Sequence, residues 1–330
     1  MDRRDFLKTA VGAGVLAATS KPSEARASLP QRALGKTGVR VSVLAFGGGS
    51  HFLSRVGGDE RRVEELIHRA LDLGINYFDT AAGYTFRPHQ RLSETYYGRA
   101  LSPARNRIFL TTKAQDRDGE GIKRSVEKSL ELLKTDHLDL IQMHSLSNLE
   151  ELDQLERTDG AWKVLRELRD QKVVRFVGAT GHYNPEVLLE ATRRFDIDTL
   201  LISLNAAQAS HPLSMTPGEA LAAFEEEVLP EAVERGIGVI AMKVMGQQSL
   251  VGEGPGKASP EELIRYVLSL PVAAADIAHA SIEVLEQNVA AARSFTPMSG
   301  AEVASLRARL SGSSAAWARF LGTHQDGSEA

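Results

Sequence analysis

Ile108-Phe109-Leu110-Thr111-Thr112-Lys113 is a short run of β-branched and aromatic residues that ends on a lysine. Behind it, Ile122, Val126, Leu130 and Leu133 recur at the three- and four-residue steps of a helix with one apolar face. Leu138-Asp139-Leu140-Ile141-Gln142-Met143 is a second β-rich run, closed by His144. A strand, a covering helix and a second strand within about 30 residues make one unit of parallel sheet, since a parallel neighbour is reached only through a crossover.

The same alternation extends in both directions. Short β-rich runs stand at Val43–Phe46, Ile75–Asp79, 108–112, 138–143, Val173–Ala179, Thr199–Leu204, Gly238–Met242 and Val272–Ala278, eight in all. From the second onward their starts lie 26 to 39 residues apart. Val63, Leu66, Ile67 and Leu71, and later Trp162, Leu165 and Leu168, give the intervening segments a helical apolar face. Eight strand-helix units predict an α/β fold, a (β/α)8 TIM barrel, with its active site at the C-terminal strand ends.

An open doubly wound sheet is the alternative, and it calls for a glycine-rich dinucleotide turn opening a helix. Phe46-Gly47-Gly48-Gly49-Ser50 lacks the G-x-G-x-x-G spacing, and Gly252-Glu253-Gly254-Pro255-Gly256-Lys257-Ala258 lacks that of a P-loop. The barrel is therefore expected over residues 28–322, opened by a hairpin from Leu29 to Val41 that turns at Gly35 and Gly38. After the last strand, 282–294 and 301–321 are expected as extra C-terminal helices and 323–330 as a mobile tail. The charge clusters 59–62 and 225–227 are expected to be solvated helix faces, and Trp162 and Trp317 to pack in helices.

The chain has 330 residues, 42% of them hydrophobic and 25% charged, enough apolar material for a large core. Its formal charge of −4 argues against a nucleic-acid footprint carried by overall charge. With no cysteine there is neither a disulfide framework nor a thiolate nucleophile, so the chemistry falls to oxygen and nitrogen groups. No H-E-x-x-H or G-x-S-x-G pattern occurs.

Residues 1–27 stand apart from the repeat. Arg3-Arg4 leads through Asp5-Phe6-Leu7-Lys8 into an apolar run from Thr9 to Thr19 and on to Ala25-Arg26-Ala27. This resembles a twin-arginine export signal with a cleavage site after Ala27. The run is shorter than the roughly 20 residues that span a membrane, so no stable membrane insertion is expected after cleavage. The resemblance implies the export machinery as a partner, a periplasmic destination, and folding before translocation.

Ionisable groups sit at successive predicted strand ends. Asp79 closes the second strand, Tyr84 follows in its loop, Lys113 closes the third and His144 the fourth. Singly, each has a structural explanation: a turn cap, a packed ring, a solvated end, a satisfied core histidine. Adjacent barrel strands bring all four together. A phenol titrates near pH 10 on its own, but a neighbouring ammonium favours phenolate, which makes Tyr84 a workable proton donor. Asp79 then orients Lys113, and His144 hydrogen-bonds the substrate oxygen or the phenol.

Four stretches resemble the aldo-keto reductase family: Asn76-Tyr77-Phe78-Asp79-Thr80-Ala81-Ala82-Gly83-Tyr84, Ser93-Glu94 with Gly98-Arg99-Ala100-Leu101, Thr111-Thr112-Lys113, and Leu138-Asp139-Leu140 with His144. The match runs in order from about Leu34 to Asn288 and includes the hairpin, which in the family plugs the barrel bottom. The resemblance implies metal-free, NAD(P)H-dependent reduction of an aldehyde or ketone, reversible as alcohol oxidation, on a tetrad of Tyr84, Asp79, Lys113 and His144.

By the same carry-over, cofactor contacts fall on Gly47, Thr180, Gly181, Met242, Lys243, Gly246, Gln287 and Asn288, with His182 a candidate substrate contact. Five positions depart from the family pattern. Thr180-Gly181 replaces a common Ser-Asn, Leu201 a strand-six Gln, Met242 the aromatic that stacks on nicotinamide, and Val284 an Arg that meets the 2′-phosphate. These departures leave NADP(H) and NAD(H) both open as the cofactor. They also motivate a rival reading, a barrel that holds a nucleotide without turnover as a redox sensor or structural partner. A metal-dependent hydrolase is disfavoured, because Asp79 and His144 are too few ligands.

Overall fold

The computed structural model describes residues 28–182, 184–207 and 224–323. The export signal expected over 1–27 and residues 324–330 of the expected tail lie outside the described residues. Along the chain come β1 (Gln31–Ala33), β2 (Arg40–Ser42), β3 (Leu44–Gly47), α1 (Ser50–Arg55), α2 (Glu60–Asp72), β4 (Tyr77–Asp79), α3 (Leu92–Leu101), β5 (Phe109–Ala114) and α4 (Gly119–Leu133). Next are β6 (Leu138–Met143), α5 (Leu149–Glu156), α6 (Ala161–Asp170), β7 (Val174–Gly181), α7 (Pro185–Arg194) and β8 (Thr199–Ser203). The chain ends with α8 (Leu229–Glu234), β9 (Gly238–Met242), α9 (Pro260–Ser269), β10 (Ala274–Ile277), α10 (Ile282–Arg293) and α11 (Gly300–Thr323).

Strands β3 to β10 pair in sequence order, all parallel, and β10 pairs back onto β3 to close the barrel. Each predicted β-rich run supplies one of these strands. The second begins later than its apolar run, because Asn76 is diverted to the hairpin: its side-chain oxygen accepts from Ser42 N at 2.7 Å, and its own N–H donates to Ser42 Oγ at 3.1 Å. β5 and β7 run two residues further than the run predicts, to Ala114 and Gly181.

Side chains alternate across the barrel wall, as the two-residue period of a strand requires. Ala45, Tyr77, Phe109, Leu140, Leu201, Ile240, Met242 and Ala274 pack inside. Phe46, Phe78, Leu110, Ile141, Val177, Leu200, Val239 and Ala275 face the helices. Asp118 caps α4 by accepting from Gly121 N at 2.7 Å, and Ser259 with Glu262 forms a capping box at the start of α9.

The antiparallel β1–β2 hairpin closes the bottom of the barrel. Its Leu34 is fully buried with the interior cluster. Lys36 N donates to Gly236 O at 2.6 Å, and Gly35 sits at φ +51°, so close that a Cβ there would lie 2.3 Å from Gly238 N. Trp162 packs on Phe195 with ring centroids 4.9 Å apart, and buried Trp317 stacks on Phe320 at 5.2 Å. One expectation needs correcting. Glu225 is not a solvated face residue: it accepts from Tyr266 Oη at 2.6 Å and pairs with Arg307, which clamps α11 onto α9.

Candidate active site

Asp79 ends β4 and faces inward on the mouth side of Tyr77, two residues back on the same face. Lys113 lies two residues beyond Thr111 on the inner face of β5, next to β4, where Asp79 pairs with Thr111. Its ammonium forms an ion pair with Asp79 Oδ2, donates to Thr80 O at 2.9 Å and to Tyr84 Oη at 3.2 Å. Lys113 and Asp79 are each only 1% exposed. A buried lysine persists only with a counter-charge and satisfied donors, and here Asp79, a carbonyl and a phenol supply three partners.

Tyr84 is placed by the turn that follows β4. Ala82 N donates to Lys113 O at 3.0 Å and Tyr84 N to Ala81 O at 3.1 Å, so the turn is tied to β5. The Lys113 ammonium also lies 4.8 Å from the centre of the Tyr84 ring. His144 follows β6, fixed by its N–H to Ala114 O at 2.9 Å, and its ring meets Tyr84 edge-on with centroids 5.7 Å apart. The four residues expected from the sequence to converge therefore do so at the C-terminal mouth.

A supporting layer explains the Ser93-Glu94 stretch. Thr80 Oγ1 donates to Ser93 Oγ at 2.7 Å, which fixes the residue whose carbonyl holds Lys113. The fully buried Glu94 carboxylate accepts from Thr112 Oγ1 at 2.7 Å and pairs with Arg91 at 3.0 Å, locking α3 to the outer face of β5. Arg117, which the sequence reading passed over, donates to His144 O at 2.7 Å and is held by Glu151 at 2.6 Å.

Beside Tyr84, at the mouth of the barrel, opens a cleft of about 140 Å³. Tyr84, His182, Gly47, Met242 and Lys243 line it together, with Ser50, His51, Arg55, Gln247, Gln248 and Asp276. Lys243, Gln247 and Gln248 have φ values of 60°, 50° and 74°. Left-handed backbone at three non-glycine residues costs free energy and is concentrated at binding walls. Gly246 turns this segment, its N–H donating to Lys243 O at 2.9 Å, while its neighbours line the cleft.

The other expected cofactor residues are placed differently. Thr180 Oγ1 accepts from Ser145 N at 2.8 Å, and Gly181 lies against Leu188 of α7; neither lines the cleft. Gln287 is exposed on α10. Asn288 is buried and hydrogen-bonds His279 Nδ1 at 3.2 Å. Burial pushes the His279 imidazole down to about 3, so it stays neutral.

The barrel order, the bottom hairpin and the Asp79–Lys113–Tyr84–His144 cluster point to one grouping. The profile of the Aldo/keto reductase family matches residues 43–304. The chain belongs to that family. It is 28% identical over 300 residues to the uncharacterized oxidoreductase YqkF of Bacillus subtilis (strain 168), over 79% of this chain and 90% of that one. It is likewise 28% identical over 244 residues to L-galactose dehydrogenase of Arabidopsis thaliana, over 70% of each. Among solved structures, the holo form of aldo-keto reductase AKR11C1 from Bacillus halodurans matches with a TM-score of 0.67 at 25% identity, over 85% of this chain and 96% of that one.

Family membership makes this aldo/keto reductase an oxidoreductase of the NAD(P)H-dependent, carbonyl-reducing kind, with a small-molecule carbonyl substrate. Among the described residues, no group of three or more His, Cys, Asp or Glu is placed to hold a metal ion. The cleft contains three ionisable groups that the sequence reading did not single out, His51, Arg55 and Asp276. Asp276 stands on the inner face of β10, and the available signal was a lone carboxylate in the otherwise apolar run 272–278.

Proposed function

We propose that this aldo/keto reductase interconverts an aldehyde or ketone and the corresponding alcohol, with Tyr84 as the general acid in reduction and the general base in oxidation. The observation that carries the reading is Lys113 Nζ at 3.2 Å from Tyr84 Oη while paired with Asp79. An ammonium donating to the phenol oxygen stabilises the phenolate left behind, so Tyr84 gives up its proton more readily than a free phenol. His144, edge-on to that ring, is placed to donate to the substrate oxygen and orient it.

The donor set fits a nicotinamide dinucleotide. The cleft runs from Tyr84 past Gly47, which has no side chain to obstruct it, to a wall bearing Lys243, Arg55, Gln247 and Gln248, cationic and amide donors suited to phosphate oxygens. When bound, the nicotinamide supplies or accepts the hydride. Met242, Lys243, Gly47 and the Gly246 turn would hold it. The polar lining of His182 and His51 suits a hydroxylated carbonyl, the class to which the substrate named for the L-galactose dehydrogenase relative belongs.

The test is Tyr84→Phe. Carbonyl-dependent oxidation of NADPH or NADH should fall by about 10²- to 10⁴-fold, with nucleotide binding retained. The placement of Thr180 and Gly181 off the cleft favours the second reading, a nucleotide-holding barrel without turnover. Bound nucleotide together with no turnover by the unaltered protein, across aldoses and apolar aldehydes alike, would establish that reading instead. Export by the twin-arginine route to the periplasm completes the proposal, supported by Arg3-Arg4 and the apolar run behind it.

A further inference from the structure

Asp276 is the one carboxyl among the residues that line the cleft, and the tetrad does not use it. Strand alternation turns it inward: Ala274 lies inside the barrel, and Ala275 and Ile277 face the helices. On one side is β9, where Ala275 pairs with Ala241 and the following residue, Met242, lines the same cleft. On the other side is Gly47, where a Cβ would come 2.8 Å from Asp276 Oδ1, so a side chain at 47 would displace the carboxyl. Asp276 Oδ1 is buried and accepts no hydrogen bond from a described residue.

The groups around it are few. Asp79 on β4 is committed to Lys113 on β5, so that pair cancels. Tyr77 on β4 and Tyr97 on α3 are phenols that stay neutral, held up by their own burial and then by the charges of Asp79 and Asp276. Lys243, just past β9, is the remaining cation within reach, and it also lies 5.9 Å from the centre of the Phe320 ring. Asp276 is therefore a carboxyl without an ion-pair partner of its own among the described residues, set between Gly47 and Met242, two residues given above to the cofactor.

We infer that the Asp276 carboxyl reads the redox state of a nicotinamide held in this cleft, binding the cationic oxidised form more tightly than the neutral reduced form and so shifting hydride transfer within the site toward carbonyl reduction. The inference rests on the proposed function. Its physical basis is that the oxidised ring carries a positive charge that the reduced ring lacks, and in a buried site an opposite charge nearby is scarcely screened. Burial, and then the charge of Asp79, hold the carboxyl well above the usual carboxylate range, with Lys113 and Lys243 acting in the opposite sense. A cation brought beside it favours ionisation, so oxidised nucleotide binds with release of a proton and reduced nucleotide does not.

The test is calorimetric titration of the purified full chain with NADP⁺, NADPH, NAD⁺ and NADH, in two buffers of different ionisation enthalpy, for the unaltered protein and Asp276→Asn. The expected result is that Asp276→Asn weakens oxidised relative to reduced nucleotide by about tenfold and abolishes the proton release. An unchanged ratio with unchanged proton release overturns the inference while leaving the proposed function intact. If Asp276→Asn does not fold, the unaltered protein still decides: equal proton release with both redox states, or none with the oxidised one, overturns it. Failure of all four nucleotides to bind the unaltered protein overturns the proposed function, and this inference with it.

Discussion

Lys113 is sealed in the barrel with Asp79 as its counter-charge, and the two are not equivalent in what their loss exposes. Removing the carboxylate leaves an ammonium in a low-dielectric interior whose remaining hydrogen-bond partners are a carbonyl and a phenol. Breaking a buried pair from one side costs about 3–5 kcal/mol, whereas replacing both partners by neutral groups of similar volume is close to neutral. Asp79→Asn should therefore lower the unfolding free energy by about that amount, and Asp79→Asn with Lys113→Met should recover most of it. Urea unfolding of the three proteins checks this. A double variant as unstable as the single one would mean that Asp79 stabilises through the β4 turn and not through its charge. Both variants should lose turnover, so the pair's stability and its catalytic use separate in a single series.

The β1–β2 hairpin shows what an element contributes beyond its own few hydrogen bonds. Leu34 fills the bottom of the interior that the eight strands leave open, and Gly35 lets the backbone cross within touching distance of Gly236 and Gly238. Gly35→Ala meets two penalties together: a left-handed φ of 51° and a Cβ driven into the backbone of residues 236–238. Loss of about 2 kcal/mol or more is expected, read as a lower urea midpoint, with the Michaelis constant little changed because the mouth lies at the other end of the strands. A shift in substrate affinity without loss of stability would contradict this division of labour. The sequence made the elements legible because each strand is a run of apolar residues and each helix has a period. It did not show that Asn76 leaves the ladder to hold the hairpin, or that Glu225 leaves solvent for Tyr266 and Arg307. Both depend on partners far away in the chain, and no local pattern carries that information.

At the scale of the whole molecule, closing the barrel turns sequence-distant strand ends into one mouth, and this decides what could be read in advance. Asp79, Tyr84, Lys113 and His144 were legible because they stand at consecutive strand ends, so topology alone makes them neighbours. Asp276 belongs to the same mouth, but it lies at the other end of the chain and becomes a neighbour of Gly47 only when β10 closes onto β3. The site is therefore complete only in the finished fold. A protein whose two halves must meet before they can grip a nucleotide has reason to fold in the compartment that supplies that nucleotide, and a twin-arginine signal is the route that carries folded chains. Replacing Arg3 and Arg4 by lysine in the full chain should then leave the protein folded, active and of unprocessed length in the cytoplasm, while the unaltered chain is recovered outside it, shortened by its first 27 residues. Cell fractionation and intact mass measure both outcomes. Recovery of both proteins in the same compartment at the same mass would remove the export reading and leave the enzyme reading untouched.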